Sequence, residues 1–249
     1  MREFTFTYDQ KCWWEFSLLM AQVEHLFVSI DIGCPYGLPY VARFHQATFA
    51  PLGERAMELF LFAGYRRNGN CLYNMQCHEC SACIPIRLHP AEFRPNRNQK
   101  RTLKKNRDVE MNILPLQYDE ETLDLCDKFL KARYPKENNT APGYYRDFFL
   151  NNIVNSAQIQ YRVDNRLVGT AVIDIGRHWL NAVYFYFDPD ESSRSLGTFN
   201  ILKLIELCLE WEIEYLYLGY LIHAVPAMSY KSNFRPYYIL SHDKWCCVK

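Results

Sequence analysis

The pattern of apolar and polar positions divides the chain into a mixed first half and a β-rich centre. Residues 54–63 carry apolar side chains at helical spacing and are followed by Gly64, which predicts a helix with a glycine stop. Residues 120–133 carry one apolar face and predict a second helix. The predicted strands that follow cover 158–163, 166–175 and 178–187, with turns at 164–165 and 176–177. Three short strands joined by tight turns predict an antiparallel meander.

The pattern changes again after the meander. Asp188-Pro189-Asp190 ends the last strand, residues 192–197 introduce a helix, and residues 214–218 read as a buried strand. This order predicts an α+β fold in which residues 111–249 form a GNAT-like acyltransferase domain. Residues 1–110 then form a smaller N-terminal domain that contains most of the cysteines.

Charge is balanced over the whole chain but is unevenly placed. The 249 residues are 49% hydrophobic, enough for a substantial core, and include 28 basic and 28 acidic side chains. Seven cations and no acid follow Phe93: Arg94, Arg97, Lys100, Arg101, Lys104, Lys105 and Arg107. Amide side chains lie between them, so the run predicts a tRNA-binding or other polyanion-binding surface. The alternative is a solvated surface loop.

Three cysteines at three-residue spacing precede the basic run. Cys77, Cys80 and Cys83 suit ligation of a metal or cluster, because a tight turn can direct successive sulfurs at one centre. Zinc and a four-iron, four-sulfur cluster both accept four thiolates, so the spacing leaves both open. Unligated cysteines are the alternative. Three others, Cys12, Cys126 and Cys208, fall on apolar stretches and are predicted to lie in the core.

The sequence shows no sign of export. No apolar stretch approaches the roughly 20 residues that span a bilayer, and no signal-peptide pattern begins the chain. We therefore expect a cytoplasmic protein with reduced thiols and no membrane partner. The balanced charge and the complete helix and sheet pattern are consistent with a monomer.

Several motifs together resemble one known family. They are Cys77-His78-Glu79-Cys80-Ser81-Ala82-Cys83, the basic run, Phe187-Asp188-Pro189, Arg194-Ser195-Leu196-Gly197-Thr198, Tyr217-Leu218-Gly219-Tyr220 and Met228-Ser229-Tyr230-Lys231-Ser232-Asn233-Phe234-Arg235-Pro236. In order and spacing, over roughly residues 34–240, they resemble the aminoacyl-tRNA-protein transferases. The resemblance implies transfer of an amino acid from a charged tRNA to the N-terminal amine of a protein with an acidic N-terminus, which creates an N-degron. The chain length is closer to the bacterial leucyl branch, so leucine is favoured and arginine is the alternative donor.

The resemblance also implies a fourth cysteine ligand and a division of labour among polar residues. It points to Cys34 beside Cys77, Cys80 and Cys83, with an iron-sulfur cluster or zinc as the possible cofactor. Position 37 is Gly where the arginyl branch has the second cysteine of a pair. An aminoacyl-tRNA is already an activated ester, so the reaction needs no ATP.

The candidate site residues follow from the same motifs. Lys231 and Arg235 are assigned to the acidic N-terminus or the developing oxyanion. Arg194, Ser195 and Gly197 are assigned to the tRNA acceptor end. The residues predicted to orient the amine or relay its proton are Tyr184, Asp188, Tyr230 and Lys231.

The sequence pattern is also compatible with two other functions. An N-acetyltransferase that uses acetyl-CoA would have a similar fold, but residues 194–197 contain one glycine where a pyrophosphate loop usually has several. A non-enzymatic RNA-binding metalloprotein would explain the cysteine and basic segments, but it leaves the C-terminal motifs unexplained.

Overall fold

The described part of the chain contains seven α-helices, among them the predicted helical segments. The structure, a computed structural model, describes residues 7–135 and 138–249; residues 1–6, which open the predicted first domain, and residues 136–137 lie outside the described part. The helices are α1 (Tyr8–Val23), α2 (Glu54–Phe62), α3 (Arg97–Lys105), α4 (Glu120–Arg133), α5 (Ala141–Tyr144), α6 (Leu196–Glu210) and α7 (Pro226–Ser229). The helices predicted over 54–63 and 120–133 are confirmed, and Gly64 ends α2 with a positive φ of 85°.

Within the residues that the structure describes, twelve strands form two sheets. The strands are β1 (Val28–Gly33), β2 (Val41–Thr48), β3 (Arg66–Asn68), β4 (Cys71–Met75), β5 (Ile84–Leu88), β6 (Glu110–Pro115), β7 (Ser156–Val163), β8 (Arg166–Ile175), β9 (Trp179–Phe187), β10 (Tyr215–Leu221), β11 (Tyr237–Ser241) and β12 (Lys244–Val248). The small sheet has the order β1-β2-β4-β3, and the large sheet has the order β12-β11-β5-β10-β9-β8-β7-β6.

The predicted meander is confirmed as β7, β8 and β9. Its first turn places Asp164 and Asn165 at φ values of 48° and 64°, the left-handed region that a tight hairpin turn requires and that these residue types tolerate. Helix α6 follows β9 and returns the chain to β10, which pairs with β9 in parallel. An antiparallel meander, a helix and a parallel strand make the α+β, GNAT-like arrangement that the sequence predicts.

Strand β5 joins the two halves of the chain. It follows β4 of the small sheet along the chain but belongs to the large sheet. There it pairs with β10 on one side and β11 on the other, both antiparallel. The predicted domain boundary near residue 110 stays a prediction. The large sheet contains strands from both sides of this position.

Helices cover both faces of the large sheet. Along β10, Tyr215 and Tyr217 pack with α1 and α2, while Leu216 and Leu218 pack with α6, as the period of two in a strand requires. Helix α2 lies between the two sheets, and every residue from 57 to 62 is buried. The cysteines predicted in the core, Cys12, Cys126 and Cys208, are each fully buried and confirmed there. In the described ranges, no helix has the length and apolar character needed to cross a membrane.

Candidate active site

The large sheet splays open between β9 and β10. These strands pair only at Trp179–Tyr215, Leu180–Leu216 and Asn181–Tyr217. Beyond this point β10 stays paired with β5, through an irregularity between Tyr217 and Tyr220 where Gly219 takes a φ of 84°. We call the opening between β9 after Asn181 and β10 after Tyr217 the wedge.

Arg66 from the small sheet occupies the wedge. Its Nη2 donates a hydrogen bond to the carbonyl oxygen of Ala182 on β9 at 3.1 Å. A Cβ on Gly219 of β10 would lie 3.1 Å from the same Nη2, so a glycine is needed both for this approach and for the positive φ. Burial lowers the pKa of Arg66.

Lys231 provides a second buried cation next to Arg66. Its Nζ donates to the carbonyl oxygen of Tyr220 at 2.8 Å, and the side chain comes from the turn after α7. Burial, together with the charge of Arg66, lowers the pKa of Lys231 to about 7. Within residues 7–135 and 138–249, neither side chain forms an ion pair with a carboxylate; the charge of Asp174 reaches Arg66, but that carboxylate is paired with Arg67.

Three phenol groups lie near Arg66. The hydroxyls of Tyr36, Tyr73 and Tyr220 lie close enough to Arg66 for its charge to act on each of them. Burial raises the pKa of all three well above neutrality, so they stay protonated and can donate hydrogen bonds. The wedge can therefore bind an anionic group with charged and neutral donors.

Tyr184 and Tyr230, two of the predicted catalytic residues, lie near Tyr134. Tyr184 is on β9 beyond the splay and packs against Tyr144 with ring centroids 5.7 Å apart. Tyr230 packs edge-on against Phe234, and burial raises its pKa to about 12. Their predicted part in the reaction stays a prediction.

Asp188, the third of the predicted catalytic residues, forms ion pairs with two cations. Lys128 Nζ lies 2.6 Å from its Oδ1 and Arg166 Nη1 lies 2.7 Å from its Oδ2, while the backbone N–H of Asp190 also donates to it. Burial opposes ionisation, but these partners keep the pKa of Asp188 below its usual value. In this arrangement Asp188 starts the turn that leads into α6.

Arg194 is also held by carboxylates. Two of its nitrogens, Nη1 and Nη2, each lie 2.8 Å from Asp108, and Nε lies 2.8 Å from Glu191. Ser195 follows in the left-handed region with a φ of 55° and precedes α6, while Gly197 has open space where a Cβ would be. The guanidinium thus fixes the turn, and its predicted contact with the tRNA acceptor end stays a prediction.

Arg235 lies on the surface, not in the wedge. Its Nη1 donates to the carbonyl oxygen of Lys249, and its guanidinium lies 5.4 Å from the ring centre of Tyr237. The structure therefore does not bring Arg235 together with Lys231, although both were assigned to the same anionic group.

The basic run forms helix α3. A capping box between Asn96 and Gln99 starts the helix. Four of the predicted tRNA-binding residues share one face at spacings of three, four and seven, and line a shallow depression of about 430 Å³: Arg97, Lys100, Arg101 and Lys104. The other three, Arg94, Lys105 and Arg107, are also exposed.

Helix α3 and Asn106, the residue that follows it, are bonded to both C-terminal motifs. Gln99 Nε2 donates to the carbonyl oxygen of Asn233 at 3.0 Å, one turn from Lys231. At the other end, Asn106 Nδ2 donates to the carbonyl oxygen of Arg194 at 2.9 Å and Lys105 Nζ to that of Ser193 at 2.6 Å. The basic face is thereby fixed relative to the turn before α6 and to the turn that carries Lys231.

The four predicted metal ligands lie in one neighbourhood. Burial raises the pKa of Cys83 to about 12, and the nearby thiols of Cys77, Cys34 and Cys80 add to the increase. Cys77 Sγ accepts a hydrogen bond from the backbone N–H of Arg43 at 3.4 Å. Among the described residues, however, no three His, Cys, Asp or Glu side chains are placed to hold a metal ion. The donor type fits zinc or a cluster, and the present placement of the sulfurs does not.

Sequence reasoning missed Arg66 and the three phenols around it. One signal was available, because Tyr65-Arg66-Arg67 places two adjacent cations directly after the apolar segment of α2. Two neighbouring residues in a strand face opposite sides, so at least one of these arginines had to point into the protein. The identity of its neighbours could not be read from the segment.

Comparison with known proteins matches both halves of the chain to one family. The family model described as "Arginine-tRNA-protein transferase, N terminus" matches residues 33–101, and the corresponding C-terminus model matches residues 121–241. A protein named aspartate/glutamate leucyltransferase from Hahella chejuensis is 36% identical over 187 residues, which cover 74% of this chain and 80% of that protein. One of the same name from Shewanella putrefaciens is 40% identical over 190 residues, which cover 76% of this chain and 80% of that protein.

The likeness to solved structures is looser. A GCN5-related glucosamine N-acetyltransferase region of a fungal multi-domain β-N-acetylglucosaminidase aligns over 93% of this chain and 26% of that chain. Its sequence identity is 10% and its TM-score is 0.44. With both family models matched in order, and relatives above 30% identity that are covered over most of their length, the chain belongs to the aminoacyl-tRNA-protein transferase family and is an aminoacyltransferase.

Proposed function

We propose that this protein transfers leucine from leucyl-tRNA to the N-terminal α-amine of proteins that begin with Asp or Glu. The names of the relatives suggest this donor and these acceptors. One structural observation carries the proposal: the wedge holds two buried basic side chains, Arg66 and Lys231, and among the described residues neither is bonded to a carboxylate. Arg66 donates to the carbonyl oxygen of Ala182, and Lys231 donates to the carbonyl oxygen of Tyr220 and to Met228 Sδ. A buried cation without a counter-charge is costly, so such a site is suited to a substrate that brings the negative charge.

The proposed reaction needs no additional reactant. The acceptor amine attacks the carbonyl carbon of the aminoacyl ester, a C–N bond forms, and the C–O bond to the tRNA ribose breaks. One proton leaves the amine and one is delivered to the ribose oxygen, so the products are the extended protein and the free tRNA. Because the ester is activated, positioning the two substrates supplies much of the rate enhancement.

Lys231 is the proposed proton acceptor. An α-amino group has a pKa of about 7.7 to 8.0, so much of it is protonated at neutral pH and must lose a proton before it attacks. The pKa of Lys231, lowered to about 7, makes a large fraction of this amine neutral and able to take that proton. Its bond to the carbonyl oxygen of Tyr220 holds the amine in place inside the wedge.

Helix α3 is the proposed binding surface for the tRNA. Its four aligned cations line an exposed depression with no acidic side chain, which is suited to phosphate groups. The bonds from α3 to the carbonyls of Asn233 and Arg194 link this surface to the turns on either side of the proposed reaction centre. We assign the tRNA acceptor end to the path from α3 to the turn before α6.

We propose that Cys34, Cys77, Cys80 and Cys83 can act as one thiolate set for zinc or an iron-sulfur cluster. Four thiolates are the donors that both groups prefer. The sulfurs would have to move closer together, and no step of the transfer reaction is routed through this set. Metal and sulfide analysis of protein purified without oxygen, beside Cys80→Ser, tests the assignment.

The biological setting extends the same proposal. Addition of leucine would create an N-degron and direct the acceptor to degradation, and a tRNA donor places the reaction in the cytoplasm. We expect a monomer. Arginine is the alternative donor, because the matched family models are described by arginyl transfer.

The test is a transfer assay with defined donors and acceptors. Purified protein is incubated separately with leucyl-tRNA and arginyl-tRNA, and with peptides that begin with Asp, Glu, Arg, Lys or Cys. Mass spectrometry then reads each peptide. We expect a leucine mass on the Asp and Glu peptides only. An arginine mass on them would correct the donor, and no addition to any peptide despite tRNA binding would overturn the proposal.

A further inference from the structure

Two adjacent buried arginines in β3 differ in how their charge is compensated. Arg67 is fully buried and donates from Nε and Nη2 to both carboxylate oxygens of Asp174, at 2.8 Å and 2.6 Å. Its Nη1 donates to the carbonyl oxygens of Phe148 and Phe149, both at 3.1 Å. All three of its nitrogens are thus used, which is the usual condition for a buried guanidinium.

Arg66 lacks this compensation. Its one hydrogen bond within the described residues runs from Nη2 to the carbonyl oxygen of Ala182, and its exposed fraction is only 9%. Among described side chains, the fully buried nitrogens without a partner include Nε of Arg87 but no atom of Arg66. The unbonded Nε and Nη1 of Arg66 are therefore not completely enclosed, and they are free of protein partners among the described residues.

The surroundings of Arg66 supply further donors for the same ligand. Lys231 lies close enough for the two charges to interact, and the phenols of Tyr36 and Tyr73 lie in the field of the guanidinium. A carboxylate offers about four lone-pair sites to donors. The guanidinium fork fills two of them, and the hydroxyls can fill the others.

We propose that Arg66 is the specificity-determining residue that binds the side-chain carboxylate of the acceptor's N-terminal Asp or Glu. This inference rests on the proposed function, and it separates two tasks within the wedge. Arg66, which keeps its charge at any physiological pH, recognises the acid, and Lys231 handles the proton of the amine. A neutral Asn or Gln at the same place would leave the guanidinium buried without a counter-charge, which is why the site would reject amides.

The test compares isosteric peptides on matched variants. Values of kcat/KM are measured with saturating leucyl-tRNA for peptides that begin with Glu or Gln. The enzymes are the wild type, Arg66→Gln, Arg66→Lys and the control Arg146→Gln, whose side chain is 75% exposed. The Gln variant loses the charge and is too short to reach the carbonyl oxygen of Ala182, so the ratio of the Glu to the Gln peptide, rather than the absolute rate, separates recognition from mechanical support.

We expect Arg66→Gln to lower kcat/KM for the Glu peptide about 100-fold and to leave the Gln peptide within about threefold. Arg66→Lys should raise KM for the Glu peptide about tenfold without removing the preference, because Lys keeps the charge and loses the fork. Arg146→Gln should match the wild type. Thermal unfolding and the Kd for leucyl-tRNA check that each variant is folded.

Equal losses on both peptides, or an unchanged Glu preference in Arg66→Gln, would overturn the inference. If that variant does not fold, the Lys variant decides, since an unchanged KM for the Glu peptide would overturn it as well. Failure of the wild type to transfer leucine to any peptide is a different result, because it defeats the proposed function itself.

Discussion

The wedge and the turn before α6 differ in whether their charged side chains form ion pairs. In the turn, Asp188 lies between Lys128 and Arg166, and Arg194 lies between Asp108 and Glu191. In the wedge, Arg66 donates to the carbonyl oxygen of Ala182, and Lys231 donates to the carbonyl oxygen of Tyr220 and to Met228 Sδ; among the residues described, neither is bonded to a carboxylate. Both regions contain residues of the family motifs.

The difference separates structural from chemical roles among motif residues. A guanidinium already bonded to two carboxylates must break those bonds before it can hold a substrate, so Arg194 is suited to fixing the turn. A buried cation without a carboxylate destabilises the free protein, and a substrate that neutralises it recovers that energy on binding. We therefore expect substitutions in the wedge to change activity and substitutions in the turn to change stability.

The largest expected effect is on catalysis by Lys231→Met. Loss of the proposed proton acceptor should lower kcat about 1,000-fold, within the usual contribution of a positioned acid or base. Lys128→Met is the control, because it removes a lysine bonded to Asp188 and Asp190 in the turn. Single-turnover transfer from leucyl-tRNA measures both. An equal loss of activity in Lys128→Met and Lys231→Met would contradict the proposed difference between the turn and the wedge.

A second prediction concerns the stability of the same variant at different pH values. The pKa of Lys231 is about 7 in the folded protein and 10.5 in the unfolded chain, so the unfolded state binds the extra proton between these values. Its contribution to stability is therefore fully present above 10.5 and is lost as the pH falls to 7. From pH 7 to 9.5 the wild type should gain about 3 kcal/mol relative to Lys231→Met.

Urea unfolding of both proteins across that pH range measures the difference. Groups common to the two proteins cancel in the comparison. A difference that stays constant with pH would mean that Lys231 is charged inside the wedge.

The third prediction addresses helix α3. Replacing Arg97, Arg101 and Lys104 together with Gln should weaken tRNA binding about 100-fold at 0.1 M salt. The slope of log affinity against log salt should fall by about two to three, because each phosphate contact releases counterions. A matched variant with the same loss of charge replaces Arg177, Lys131 and Lys244, which are exposed elsewhere. Equal salt slopes in the two variants would remove α3 from the interface.

The smallest effect is expected for Arg194→Gln. Its pairs with Asp108 and Glu191 are partly exposed, so their loss should lower the free energy of unfolding by about 1 to 2 kcal/mol. Transfer activity should stay within about threefold of the wild type. A large loss of activity at unchanged stability would instead indicate that Arg194 contacts the tRNA acceptor end directly.

Local patterns predicted much of the fold. The bounds of α4 and β8 agree with the predicted segments, and the meander, α2 and α6 were also foreseen. These elements depend on contacts between residues close in sequence, which periodicity, capping residues and turn types record. The pattern of the basic run predicts either a tRNA surface or a solvated loop and does not predict its helix, although Asn96 and Gln99 provide a capping box.

The sequence by itself determined the family motifs, the helical and strand segments, the buried positions of Cys12, Cys126 and Cys208, and the presence of cations near the C-terminal motif. Only the tertiary structure decided which cations lack a counter-charge. Arg66 and Ala182 are 116 residues apart, and Arg194 meets Asp108 across 86 residues. Compensation of a buried charge depends on which groups folding brings within hydrogen-bond distance, and no local pattern in a single sequence encodes that.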